Sequence, residues 1–278
     1  MTEKINIRST FLPDEGEVFV RVDMSQIEHR MCMMYCGTAR TVEIANRHPN
    51  DYDAHTDNAR LIFNKQEINK QERYLGKKTV HGAERQMGGY RMSESISKDT
   101  NGELFVHPKQ CDNLLRAFYA AFPEIESIYF PWVEQQIKES GMLYDSWGGR
   151  IDLRNRRVDH DLLKEGYSWF LQVEAARWTN QYLFIPTSYY MQQRYRKPCS
   201  AQVHDEVIVS VPLKDAYHTA LVMVAMAQQR RTIRGHVLCV PAGVTVGRSY
   251  GDEKGVEFKL LPGKEEFYRQ LKEKGGFE

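Results

Sequence analysis

The chain has 278 residues and a mass of 32.4 kDa, enough for one large domain or two modest ones without disulfide staples. Hydrophobic residues make up 41% and charged residues 27%, ordinary globular values that exclude a disordered tail or a low-complexity array. With 38 Lys and Arg against 37 Asp and Glu the net charge is +1, so any nucleic-acid surface must come from local clustering.

The segment 13–16, Pro-Asp-Glu-Gly, is a turn cluster. Over 17–23, Val18, Val20 and Val22 alternate with Phe19 and Arg21, the pattern of a strand. Ser25 followed by Glu28 has capping-box spacing and predicts a helix to about Tyr35, closing near Gly37. Residues 51–86 read as mostly helical, with Ala59, Ile62 and Phe63 on an apolar face, and 87–110, with Gly88-Gly89 and a proline, as loop. An amphipathic helix follows over 111–122, and a second, opened by Pro123, runs to about Glu139. A short hairpin is predicted over 144–157, a long helix over 162–184, two short strands over 201–211 and an apolar-faced helix over 215–231. A last strand, 237–246, precedes a charged tail. Strands near 20, 205 and 242 with helices between them predict an α+β fold, a sheet domain interrupted by a helical lobe.

No apolar run reaches membrane-spanning length, and the first residues carry no apolar stretch of the secretory kind. The cysteines Cys32, Cys36, Cys111, Cys199 and Cys239 are odd in number and include no CxxC pair. The expectation is therefore a cytoplasmic chain with reduced thiols, no membrane partner and no zinc ribbon.

Three places are candidates for chemistry. Asp23 ends the first strand, where a carboxylate either caps the next helix or faces a ligand at the sheet edge. Asp205 and Glu206 interrupt a Val- and Ile-rich strand pair, and Asp205 belongs to the same alternating series as Val207, Val209 and Val211. On a core-facing register an ionised Asp needs a cation or hydrogen bonds. A bent turn exposing both acids is the alternative, though Gly, Asn and Pro are absent there. Third, Arg73, Lys77, His81 and Arg85 recur every four residues beside Lys78 and stack on one helix face. Their repulsion, roughly a few tenths of a kcal/mol per pair, is relieved either by solvent or by a bound polyphosphate. Paired carboxylates and a basic helix are the minimum equipment for phosphoryl transfer by two metals.

In chain order these segments resemble motifs A, B and C of the family A DNA polymerases. VDMSQIEHR is similar to DYSQIELR, departing at Met24 and His29; QVHDEVIVSV follows the QVHDE segment; RYLGKKTVHG resembles RxxxKxxxFG. IRSTFLPDEGEVFV, DYDAHTDNARLIF, GGRIDLR, GYSWFLQVEAA and VPAGVTVGRSYGD also have family counterparts. The resemblance implies a right-hand polymerase fold lacking the thumb. Residues 1–45 would be palm, 46–140 helical fingers with a basic helix at about 70–86, and 141–278 palm again: an antiparallel palm sheet flanked by helices.

It further implies a DNA-directed DNA polymerase adding dNMPs to a primer 3′-hydroxyl with two Mg2+ ions. Asp23 and Asp205 would be the metal-binding aspartates, helped by Glu206 and the Met24 backbone carbonyl. Arg73, Lys77, His81 and Gln26 would meet the incoming dNTP, and Glu28 would press on its sugar. Arg150, Lys164, Gln172, His204 and Arg85 would face primer-template DNA. The family has an aromatic residue at His81, Tyr at Arg85, Gly at Gln86, Arg at Lys164, Asn at Ser168 and an acid at Arg177; Arg85 bears most directly on base selection. Few residues precede Asp23 where the family places its thumb. The expectation is therefore a split polymerase of the kind a phage genome would encode, working in host cytoplasm with a second polypeptide that supplies thumb and possibly exonuclease. A non-catalytic nucleotide- or DNA-binding remnant and a metal-dependent nuclease are the alternatives.

Overall fold

The computed structural model describes residues 7–252 and 255–277. In chain order its elements are β1 (Glu17–Met24), α1 (Ile27–Cys36), α2 (Ala39–Asn46), α3 (Ala54–Phe63), α4 (Lys70–Ala83), α5 (Gly89–Asp99), α6 (Pro108–Ala121) and α7 (Phe130–Ser140). There follow β2 (Met142–Tyr144), β3 (Arg150–Asp152), α8 (His160–Trp178), α9 (Ile185–Tyr195), β4 (Ala201–Val203), β5 (Glu206–Pro212) and α10 (Ala216–Ala227). The last are β6 (Arg230–Ile233), β7 (His236–Cys239), β8 (Ala242–Gly247), β9 (Val256–Phe258) and α11 (Lys264–Gly275). The fold is α+β, as the sequence predicts.

The chain divides into two units, one of residues 1–27, 176–231 and 239–278, the other of 28–175 and 232–238.

The first unit is built on an antiparallel sheet of order β4-β5-β1-β8-β9. Register explains its two faces. Val18, Val20 and Val22 of β1 stand opposite Val211, Val209 and Val207 of β5, while Val20, Val22 and Met24 stand opposite Val246, Val244 and Ala242 of β8. All of these are buried, and α10 packs on β1 with Ala216, Ala220 and Met223 inside. Each fully buried valine contributes about 1.5–3 kcal/mol relative to exposure. The alternate positions Arg21, Asp23, Glu206 and Ser210 share the other face.

Four predicted elements differ, the first being the helix expected over 215–231, which ends at Ala227 so that Arg230 and Arg231 open β6. Residues 87–110 are not loop: α5 occupies 89–99, because Gly88 and Gly89 form a helix start rather than a break, and the Gly89 amide donates to Asp112 Oδ1 at 2.8 Å. The long helix does not stop at Phe184. A π-helical turn, Thr179–Phe184, carries it into α9 past Pro186, whose missing N–H a regular helix would feel as a gap. The strand expected over 237–246 is two, β7 and β8, parted at Pro241 and assigned to different sheets. The tail holds β9 and α11.

In the second unit, α3 and α4 cross where Gly76 has no side chain to separate them. A Cβ there would stand 2.6 Å from the His55 carbonyl and 2.8 Å from Ala59 Cβ. Gly76→Ala is expected to lower unfolding stability by about 2–3 kcal/mol through overpacking, read as a lower urea midpoint. Elsewhere in this unit Arg30, fully buried, donates to the Ala45 and Arg47 carbonyls at 2.6 and 3.0 Å. Glu174, also fully buried, accepts from Tyr35 Oη at 2.9 Å and from Ser146 Oγ at 2.8 Å. Glu174 thereby has both carboxylate oxygens matched where water is absent, and Arg30 has Nη1 matched twice.

Candidate active site

Asp23 is the last outward-facing residue of β1 and is exposed. Its register partners are Glu206 of β5 and Gly243 of β8. Asp205 lies in the two-residue turn between β4 and β5, half-buried, and its backbone carbonyl accepts the Met24 amide at 3.2 Å. The expected core-facing register of Asp205 is therefore corrected: β5 starts at Glu206, and Asp205 precedes it. The turn forms without Gly, Asn or Pro because His204 takes φ 55°, a left-handed conformation histidine enters more readily than most residues. His204 is exposed at the tip.

Glu206 is the carboxylate that burial does affect, and protein groups compensate it. Arg21 Nε and Nη2 reach Glu206 Oε1 at 2.8 and 2.7 Å, and Arg21 Nη1 donates to the Tyr250 carbonyl at 2.9 Å. The guanidinium also lies over the Tyr250 ring, 4.9 Å from its centroid, and Arg8 covers the same ring at 5.3 Å. Arg21 was a missed participant. Its signal was present in the sequence, a charged residue on the same strand face as Asp23.

Between β1 and α1, Ser25 does not stand directly before the helix. Its amide donates to the Pro241 carbonyl at 2.8 Å, Gln26 adopts φ 55°, and the helix begins at Ile27. The Glu28 carboxylate, cast as the capping-box partner, instead accepts from Arg85 Nη2, with His81 Nδ1 3.6 Å from the same oxygen. Burial acts to raise the Glu28 carboxyl, and His81 and Arg85 outweigh it, holding it below the usual glutamate range.

The basic helix forms over 70–83, so Arg73, Lys77 and His81 lie on it while Arg85 falls in the turn just beyond its C-cap. It is capped by Asn69, whose side chain accepts the Glu72 amide while Glu72 returns a bond to the Asn69 amide. Its charges are not bare, however. Arg73 Nη2 is 2.9 Å from Asp53, His81 and Arg85 share Glu28, and Lys78 pairs with Asp99. Lys77 is exposed and takes part in no ion pair among the described residues. The His55 and His81 rings lie tilted at 50° with centroids 5.7 Å apart; burial, with His81 and Lys77 nearby, pushes the His55 imidazole down to about 3, so it is neutral.

Asp53 caps α3 through the His55 and Thr56 amides. Burial acts to raise its carboxyl, but Arg73 and the Thr56 amide bring it down to about 2. The folded value lies below the unfolded one of about 3.9. The stabilisation is therefore complete above that value and is lost as pH falls toward 2. Asp53→Asn keeps the capping acceptor and removes the charge. It is expected to lose about 1 kcal/mol at pH 7, discounted because Arg73 is partly exposed, with a smaller deficit in urea melts at pH 3.

Of the residues expected to face DNA, Arg150 opens β3 and is exposed. Lys164, Ser168 and Gln172 recur every four residues along α8, half-buried to exposed. Among the described residues no three His, Cys, Asp or Glu side chains are grouped to hold a metal ion. Two carboxylates at adjacent strand ends still fit Mg2+, which takes one or two protein carboxylates and completes its shell with water and substrate phosphates. No helix among the described residues is long and apolar enough to cross a membrane.

The chain is an α+β protein whose antiparallel sheet sets Asp23 opposite Glu206 and which carries a capped basic helix, and comparison with known proteins identifies its family. The family model for DNA polymerase family A matches residues 1–252. The chain belongs to that family. DNA polymerase I of Borreliella burgdorferi is 19% identical over 259 residues, a match covering 88% of this chain and 26% of the relative. Among solved structures, the POL domain of Pol1 from M. smegmatis, in complex with DNA primer-template and dNTP, superposes with a TM-score of 0.68 at 20% identity, covering 88% of this chain and 42% of that one. The chain thus spans about a quarter of the curated relative and under half of the solved chain.

Proposed function

We propose that the chain carries the nucleotidyl-transfer site of a template-directed DNA polymerase that adds dNMPs to a primer 3′-hydroxyl. The observation that carries this reading is the register that sets Asp23 beside Glu206, with Asp205 in the adjoining turn, on the face of the sheet opposite its valine core. Two Mg2+ ions, when bound, would activate the primer hydroxyl and neutralise the triphosphate. Asp23, Asp205 and the Met24 carbonyl are the oxygen donors that would hold them. Glu206, already bonded to Arg21, would order the turn rather than act as a ligand. Lys77 would meet the phosphates first, with Arg73 and His81 released from Asp53 and Glu28 as the anion arrives. Glu28 would bear on the sugar and Gln26 on the nucleotide, while Arg150, Lys164, Gln172, His204 and Arg85 would lie along primer-template.

Phosphate contacts supply most affinity for duplex, so further protein, on the same polypeptide or a second one, would complete the grip. The test is primer extension by the chain alone and in mixture with the remaining polymerase segments. Magnesium-dependent extension with dNTPs supports the reading, and its absence from both preparations overturns it.

A second reading, a non-catalytic nucleotide-binding remnant, is favoured by one observation: the basic helix has its charges largely met by Asp53, Asp99 and Glu28. It predicts dNTP binding without extension.

A further inference from the structure

Two departures from the family pattern, His29 and Arg85, prove to belong to one hydrogen-bonded set. Glu28 and His29 are consecutive in the first turn of α1, and Glu84 and Arg85 are consecutive at the end of α4. Arg85 Nη2 donates to Glu28, and His29 Nδ1 lies 2.5 Å from Glu84 Oε1. Each segment runs acid then base along the chain, and the two meet in opposite order, so that each acid faces the other segment's base. His29 and Glu84 are each 1% exposed, and His29 Nε2 is 2.9 Å from Tyr52 Oη, so the inner pair is fully enclosed. The outer pair, Glu28 with Arg85, remains partly open to solvent, with His81 beside it.

We propose that Arg85 is a positioning residue for Glu28, and that the clasp of Glu28, His29, Glu84 and Arg85 sets how strictly the site rejects a ribonucleotide. The inference rests on the polymerase reading and deepens it. A lone glutamate side chain swings aside for a 2′-hydroxyl by changing rotamer, at small cost. A carboxylate bonded to a guanidinium and flanked by an imidazole moves only by breaking those contacts. The enclosed His29–Glu84 pair keeps the two backbone segments in register, so the outer pair cannot slide to accommodate the larger sugar. Discrimination is then a property of four residues rather than of one.

The experiment compares kcat/KM for a dNTP and the matching rNTP on one primer-template, for wild type, Arg85→Ala, Arg85→Lys, Glu28→Ala and the Glu28→Ala/Arg85→Ala double variant. The expected result is a dNTP preference lowered roughly tenfold by Arg85→Ala, partly restored by Arg85→Lys, and no further change when Arg85→Ala is added to Glu28→Ala. A merely structural role would lower both substrates together and leave the ratio alone. An unchanged ratio in Arg85→Ala, or independent effects in the double variant, overturns the clasp while leaving the polymerase reading standing. Calorimetric titration with dATP and ATP gives the same ratio as binding if extension is undetectable. Wild type that neither extends nor binds overturns both.

Discussion

Asp205→Ala is expected to abolish magnesium-dependent primer extension, a loss of about a thousandfold or more, with the fold retained. The side chain is half-buried in a two-residue turn and holds no position in the valine core. The turn's backbone carbonyl, which accepts the Met24 amide, survives the substitution. Asp23→Ala should behave alike, since Asp23 is exposed at the end of β1. Glu206→Gln separates the roles. Its carboxylate is bonded to Arg21, so the amide should weaken that bond and disturb the turn, lowering extension by roughly tenfold without changing the magnesium concentration needed. Single-turnover extension across a magnesium series, with thermal melts as the check on folding, measures all three. Full activity in Asp205→Ala would sink the assignment of the metal-binding acids.

Much of the sheet was legible because strand alternation is local. Val18, Val20 and Val22 announced a buried face, and Arg21 and Asp23 on the odd positions marked the other. The motif spacings then carried the family. The identity of the buried acid was less accessible. The alternation placed Val207, Val209 and Val211 correctly, and Asp205 escapes their face only because β5 starts one residue after it. The outcome depended on His204 entering a left-handed turn, which composition does not announce. The basic helix shows a second limit. Its spacing was read correctly, but its neutralisation came from Asp53 and Glu28, 20 and 57 residues away in the chain, pairings that only the tertiary fold creates. Helix α5 was hidden for a third reason. Gly88-Gly89 usually signals a break, and only the approach of Asp112, with Met92 and Ile96 buried, shows why a helix begins there.

His29→Leu restores the family residue and is nonetheless expected to destabilise the protein by about 3–5 kcal/mol. The reason lies in what it leaves behind. Glu84 is 1% exposed at the end of α4, its Oε1 is matched by His29 alone among the described residues, and its Oε2 has no hydrogen-bond partner among them. Leucine fills the space but strands a buried carboxylate and removes the hydrogen-bond partner of Tyr52 Oη. Removing both partners should be far milder, because two apolar side chains of similar volume leave no uncompensated charge. The double variant His29→Leu/Glu84→Leu is expected within about 1–2 kcal/mol of wild type, so the single effects should be strongly non-additive. Urea denaturation of the single and double variants closes that cycle. Additive losses would show that His29 and Glu84 are stabilised separately, by packing rather than by each other. A large coupling would show that the departure at His29 is viable only because Glu84 accompanies it.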